Sequence, residues 1–257
     1  MNTKLGLFIK CPHPEIIECL GIENADFAVV DMEHTPISQA NLYPLILAAN
    51  LHNLDLIVRI PENNESYFKW CLDLGIKCIQ IPHIQNVYDV EKAIKFSNFY
   101  PLGERGLCRF VRDAKYSSLN KNEYIENSNS KIKLIFQIEG KEGVENIDLI
   151  IDKLPEKSVI FIGPYDLSQS LSIPGQIWDS RVVNKMQDVV NKCREKNIEI
   201  GTFTDTFDGI EFWTNFGINY IEYSSDLNVF MNGFNQVKSI MIQTMKKNIM
   251  KFGDNYQ

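Results

Sequence analysis

The chain has 257 residues, 44% hydrophobic and 23% charged, with a formal net charge of −7. These proportions suit a globular core. The acidic balance, with no basic block, argues against nucleic acid or an anionic membrane as partner. No apolar run is long enough to span a bilayer. The apolar stretch near the amino terminus is too short for a signal peptide, and no small-residue cleavage site follows it. Cys11, Cys19, Cys71, Cys78, Cys108 and Cys193 form no C-x-x-C pair and suit no zinc site. They read as reduced thiols of a cytoplasmic protein.

In chain order, short β-branched runs alternate with longer helical patterns. Strands are predicted at 5–9, 27–31, 56–59, 78–81, 132–138, 159–162, 198–202 and 220–223. Helices are predicted at 15–20, 38–50, 66–74, 87–97, 143–154, 182–195 and 206–216. Gly21, Asn53, Gly75 and Gly217 stand where helix C-caps are needed. Eight strand–helix units imply an α/β fold with a parallel sheet, closing most naturally into a (β/α)8 TIM barrel of typical length, about 250 residues. A doubly wound open sheet is the alternative. Two segments break the rhythm. Residues 99–129 read as a long polar loop, with a short helix around 116–126, of the kind that is often functional. The tail at 229–252 carries Val229, Phe230, Phe234, Val237, Ile240, Met241 and Met245 at helical spacing, suited to packing on the barrel or on another subunit. With no repeat or linker, 1–257 reads as a single domain.

Barrel chemistry gathers at the carboxyl ends of strands. Here those ends read Asp31-Met32-Glu33-His34, Arg59, Gln80-Ile81-Pro82-His83, Gln137-Ile138-Glu139 and Gly163-Pro164-Tyr165-Asp166. Glu139 and Asp166, on adjacent units, suit a hard divalent cation; equally, each could be a helix-start acid favoured by the dipole. His34 is placed to exchange a proton, or to bond backbone. His13, His52 and His83 lack comparable company. Asp73 could hold a histidine in one tautomer, or be solvated. Arg59 could bind a carboxylate or stabilise an enolate oxygen, or serve a structural ion pair. The N–H groups of Tyr165 and Asp166, after Gly163-Pro164, could hold an anion. No lysine closes a strand as a Schiff-base nucleophile would, which favours a metal over an imine.

Taken in register, Asp31-Met-Glu-His34, Val58-Arg59, Leu72-Asp73-Leu-Gly75, Ile81-Pro82, Gly103-Glu-Arg105-Gly106, Gln137-Ile-Glu139 and Phe161-Ile-Gly163-Pro-Tyr-Asp166-Leu-Ser168 resemble the HpcH/HpaI aldolase family, the class II pyruvate aldolases. The resemblance implies a metal-dependent carbon–carbon lyase. It would join or cleave pyruvate, or a related 2-oxo acid, and an aldehyde through a metal-stabilised enolate. Mg2+, Mn2+ or Co2+ would sit on Glu139 and Asp166. Gln137 and the Gly163–Asp166 backbone (Gly163, Pro164, Tyr165) would contact the 2-oxo acid, and Arg59 the enolate. His34, paired with Asp73, would be the acid–base group, with Glu33 behind it. The resemblance also implies a homo-oligomer, dimer-based up to a hexamer, that exchanges C-terminal helices. The sequence departs from common members around Arg109 and Arg112, which hint at an acidic or phosphorylated aldehyde, and after Asp166. The alternatives are a citrate-lyase-β-like CoA-ester lyase and a non-catalytic metabolite-binding barrel.

Overall fold

The computed structural model describes residues 3–253, with side chains through residue 246. Its elements are β1 (Lys4–Ile9), α1 (Pro14–Ile22), β2 (Phe27–Asp31), α2 (Gln39–His52), β3 (Asp55–Arg59), α3 (Glu65–Asp73), β4 (Cys78–Ile81) and α4 (Val87–Ser97). After α5 (Lys121–Lys131) come β5 (Lys133–Ile138), α6 (Lys141–Glu145), α7 (Ile147–Ile151), β6 (Val159–Ile162) and α8 (Pro164–Ser170). The chain closes with α9 (Ser180–Glu195), β7 (Glu199–Thr204), α10 (Phe207–Asn215), β8 (Tyr220–Ser225) and α11 (Asp226–Gly253). The strands form a closed parallel barrel in sequence order, β8 pairing with β1. This is the expected (β/α)8 barrel, not an open sheet.

The strands form where covered on both faces, so their apolar runs are nearly continuous. Within them the period of two still decides which residue faces where. Phe27 and Val29 of β2 join Ile57, Ile135, Val159, Phe161 and Tyr220 in a core inside the barrel. The alternating Ala28, Val30, Val58, Ile79, Phe136 and Ile160 pack outward against the helices. The inward parity continues up each strand and changes from apolar to polar. Above Val29 stands Asp31, above Ile57 Arg59, above Ile135 Gln137 and then Glu139, and above Tyr220 Glu222. The barrel thus has an oily floor and a polar ceiling, and the ceiling lies at the carboxyl ends of the strands.

Three elements differ from the expectations. The helix predicted at 143–154 is two short helices separated at Asn146, whose φ of −91° and ψ of 5° leave the helical region. The unforeseen α8 begins with Pro164 at its first position, which needs no N–H there and has φ preset for a helix. The long segment between α4 and β5 contains a 3-10 turn at Lys115–Ser117 and then α5, later than the helix expected at 116–126. It encloses its own small core of Phe99, Ala114 and Tyr124. Because α4 runs back against the strands, this segment lies at the foot of the barrel, away from the mouth.

The tail is helical as expected, over Asp226–Gly253. Asp226, at its start, accepts the backbone N–H groups of Lys10 (3.0 Å) and Cys11 (2.8 Å), fastening the helix to the segment after β1. No described helix is long and apolar enough to cross a membrane.

Candidate active site

Asp31 organises one side of the mouth. Its carboxylate is fully buried, and accepts Arg59 Nε on Oδ1 and Arg59 Nη2 on Oδ2, both at 2.9 Å. Lys10 Nζ donates to the same carboxylate. Burial alone would raise the carboxyl, but the two cations outweigh it and hold its pKa at about 2. Asp31 Oδ1 also accepts the backbone N–H groups of Glu33 (3.1 Å) and His34 (3.3 Å), which fixes the turn carrying both side chains. The Arg59 guanidinium lies over the Phe8 ring, 4.5 Å from its centroid. Arg59 Nε comes within 3.3 Å of Glu33 Oε2, yet that oxygen is buried with no hydrogen-bond donor.

The other side is built around Glu139. His83, two residues past the end of β4, has φ of 55°, a left-handed conformation uncommon for a non-glycine residue. That twist points its N–H at Glu139 Oε1, 2.8 Å away, and brings its imidazole Nδ1 to 3.1 Å from the same oxygen. Nε2 of the ring lies 3.5 Å from Glu33 Oε1. Glu33, His83 and Glu139 each offer a ligand atom, all within 4.8 Å of one another. Burial pushes both carboxyls up from their ordinary values, against the pull of Arg59 and His83 on Glu33 and of Gln137 and His83 on Glu139. The negative charge of Asp166 adds to the rise at Glu33.

A chain of amides reaches below. Gln137 donates to Glu139 Oε2, and its own oxygen accepts Gln80 Nε2 at 2.7 Å. Gln80 Nε2 also lies 3.4 Å from Glu222 Oε2. Glu222 is buried inside the barrel, and that burial, opposed by Arg59 and Gln80, lifts its carboxyl to about 8. It is therefore a neutral acid at neutral pH. On the far side of Glu139, a Cβ on Gly163 would sit 2.8 Å from Glu139 Oε2 and 2.9 Å from its Cβ. Its φ of −88° would suit any residue. Space alone demands glycine there.

His34, Arg59, Gln137, Glu139, Gly163, Pro164, Tyr165 and Asp166 all line one cavity of about 380 Å³ at the mouth. The fold thus gathers most of the residues singled out in the sequence. Glu33 is buried between Arg59 and His83, behind the exposed His34, whose Nε2 is 3.9 Å from Glu33 Oε2. Asp73 is different. It ends α3, which runs antiparallel to the strands, so it lies toward the foot and accepts Arg105 Nη2 at 2.8 Å. The expected His34–Asp73 pair is not formed within this chain. Arg109 and Arg112 also turn away from the mouth. They donate to the carbonyls of Ser117, Leu119 and Leu74, tying down the foot segment.

Sequence reasoning passed over Asp31, Gln80, His83 and Glu222 as site residues. Asp31 and Glu222 carried a usable signal, because each holds the inward parity of its strand two residues beyond an apolar inward residue. His83 carried none, since its role depends on a left-handed backbone that a Pro-His pair does not announce.

A closed parallel barrel with acids, an arginine and histidines converging at its mouth has the layout of a barrel enzyme with its active site at the strand ends. The comparisons make its class definite. The family model for HpcH/HpaI aldolase/citrate lyase matches residues 4–233, and the chain belongs to that family of carbon–carbon lyases. It is 25% identical over 236 residues to 2-dehydro-3,6-dideoxy-6-sulfogluconate aldolase of Pseudomonas putida, covering 92% of this chain and 91% of that one. It is 26% identical over 229 residues to 5-keto-4-deoxy-D-glucarate aldolase of Shigella sonnei, covering 89% and 88%. Among solved structures it resembles the citrate synthase SbnG, with TM-score 0.82, 28% identity and 95% of each chain covered. An HpcH/HpaI aldolase/citrate lyase family protein from Burkholderia cenocepacia shares the fold, with TM-score 0.88, 24% identity and 93% and 95% covered.

Proposed function

We propose that the chain is a divalent-metal-dependent aldolase for pyruvate, or a related 2-oxo acid, and an aldehyde. The observation that carries this is the charge of the mouth. Among the described residues, Asp31, Glu33, Glu139, Asp166 and Asp205 gather there against Lys10 and Arg59 as permanent cations, leaving three carboxylates in excess. Buried like charges are costly unless protonated or neutralised by a cation. The raised carboxyls of Glu33 and Glu139 and the donor-less oxygen of Glu33 fit a place made for a dication.

Glu139 and Asp166 would hold it, with Glu33 and His83 alongside; a donor set made mostly of carboxylate oxygens suits Mg2+ or Mn2+. When bound, the cation would polarise the keto oxygen of the 2-oxo acid and lower the cost of its enolate. The rest falls to the protein. Gln137 orients the 2-oxo acid beside Glu139. Its carboxylate meets the first N–H groups of α8, at Tyr165 and Asp166, which have no intrahelical partner. Arg59, immobilised by Asp31, presents its guanidinium to the developing enolate oxygen. His34, on the turn held by Asp31 and open to the cavity, moves the proton between donor methyl and aldehyde oxygen.

The apolar stripe of α11, with Phe230, Phe234, Val237 and Met241 exposed, supports self-association into a dimer-based homo-oligomer. Six unpaired thiols suit a reducing cytoplasm. The test of the function is release of pyruvate from a 4-hydroxy-2-oxo acid. It should stop with EDTA and return with Mg2+ or Mn2+. Undiminished release in metal-free buffer would overturn the metal reading.

A further inference from the structure

The same cavity is lined by further side chains that the 2-oxo acid reading leaves unassigned, and they differ in chemistry. Together with the Phe8–Phe203 ring pair, whose centroids are 5.8 Å apart, the lining includes Asp205 just after β7, Ser225 at the end of β8 and Asn228 in the first turn of α11. All three are half-buried. Asp205 accepts the Tyr165 hydroxyl at 2.9 Å, which fixes its carboxylate at the rim. Asn228 Nδ2 donates to Ser224 Oγ at 2.6 Å, and its backbone N–H to Ser225 Oγ at 3.3 Å. This wall carries hydroxyls, an amide and one carboxylate.

Among the described residues, no cation bonds Asp205, Ser225 or Asn228. Of the two permanent cations lining the cavity, Lys10 bonds Asp31, and Arg59, held by Asp31, is the group assigned to the enolate. The arginines that could have received an anion, Arg109 and Arg112, bond carbonyls at the foot. A dication held by Glu139 and Asp166 would offset two of the three excess carboxylates and leave Asp205 uncompensated. An acceptor bearing its own carboxylate or phosphate would meet like charge. One bearing hydroxyls would find Asp205 to accept from them, and Ser225 and Asn228 to bond further.

We infer that the acceptor of this aldolase is a short, uncharged hydroxyaldehyde, selected by Asp205 together with Ser225 and Asn228. The inference rests on the aldolase reading above. The reaction it specifies is balanced. The donor methyl carbon loses a proton and bonds to the aldehyde carbon, while the aldehyde oxygen gains a proton, with no oxidant or reductant involved.

The experiment uses the full-length enzyme with pyruvate and Mn2+. It compares kcat/KM for glycolaldehyde and lactaldehyde with that for succinic semialdehyde and glyoxylate, products being read by mass. The neutral hydroxyaldehydes should lead by about tenfold or more, the scale of one like-charge encounter. Asp205→Asn should shrink that ratio by about tenfold, and Asn228→Lys, which adds a cation to the same wall, should move it the same way. Exchange of pyruvate methyl protons in D2O separates the two readings. If exchange occurs yet the anionic aldehydes are preferred, or the ratio is unmoved in both variants, the acceptor inference is overturned while the aldolase reading stands. If wild type shows neither exchange nor condensation, both are overturned.

Discussion

Two arginine–aspartate pairs, one at each end of the barrel, have nearly the same parts list. At the mouth, Arg59 bonds Asp31 at 2.9 Å and covers the ring of Phe8 at 4.5 Å. At the foot, Arg105 bonds Asp73 at 2.8 Å and covers the ring of Phe99 at 4.6 Å. What differs is what surrounds them. Arg105 has a side chain only 1% exposed and gives further hydrogen bonds to Ser128 (3.0 Å) and Tyr124 (3.4 Å) of α5. Its charge is used up inside the protein, where it nails a long segment to the barrel. Arg59 opens on a cavity and stands beside a carboxylate oxygen that nothing satisfies. Both pairs leave one buried atom unmatched, Arg105 Nε at the foot and Glu33 Oε2 beside Arg59. Only the mouth pair opens on a cavity, and that opening is what a ligand can use.

The sharpest way to break this contrast is at the buried acid that shares the cavity with Arg59. Glu139→Gln keeps the shape but removes the charge, and metal-dependent cleavage should fall on the order of 10³-fold with an unchanged circular dichroism spectrum. Next comes Arg59→Lys. A point charge cannot copy the planar fork, so turnover should drop roughly 10²-fold, and the melting temperature should fall a little because buried Asp31 loses part of its pairing. Near-wild-type turnover would remove Arg59 from the mechanism. Arg105→Ala should reverse that pattern. Loss of a largely buried partner should cost about 3 kcal/mol in urea unfolding, with kcat per folded molecule unaltered. A fall in kcat at full stability would mean that the foot takes part in catalysis.

The smallest effect sharpens the view of the interior. Glu222, with its carboxyl lifted to about 8, stays protonated in the fold while the unfolded chain ionises it near 4.5. Between those values the folded state binds more protons, so its contribution to stability falls as pH rises. Glu222→Gln carries no such proton. The variant should therefore gain on wild type between pH 5 and pH 8, and parallel stability curves across that range would contradict the neutral-acid assignment.

The two pairs also mark how far the sequence can be read. The strands were legible because runs such as Phe27–Asp31 and Val159–Ile162 are apolar by local necessity. Arg59, Glu139 and Asp166 were legible because closing a barrel sends every strand end to one rim. Asp73 and the arginines at 109 and 112 misled for a related reason. A charged residue looks the same at either end of a barrel, and only the direction of α3 and the route of the 98–132 segment decide which end it joins. His83 was lost to a backbone twist, and Gln80 to an amide chain spanning β4, β5 and β8 that no local pattern encodes.

Gly163 leaves one practical mark on any attempt to retune this protein. The gap beside Glu139 is filled to contact already, so even a methyl at 163 would lean first on that carboxylate, whatever the chemist intended for the pocket. Libraries aimed at new acceptors belong on the neighbouring rim, at 205, 225 and 228, where side chains are half-open and variation can be absorbed. The mutational landscape of the mouth is lopsided, rigid along β6 and forgiving from β7 to α11.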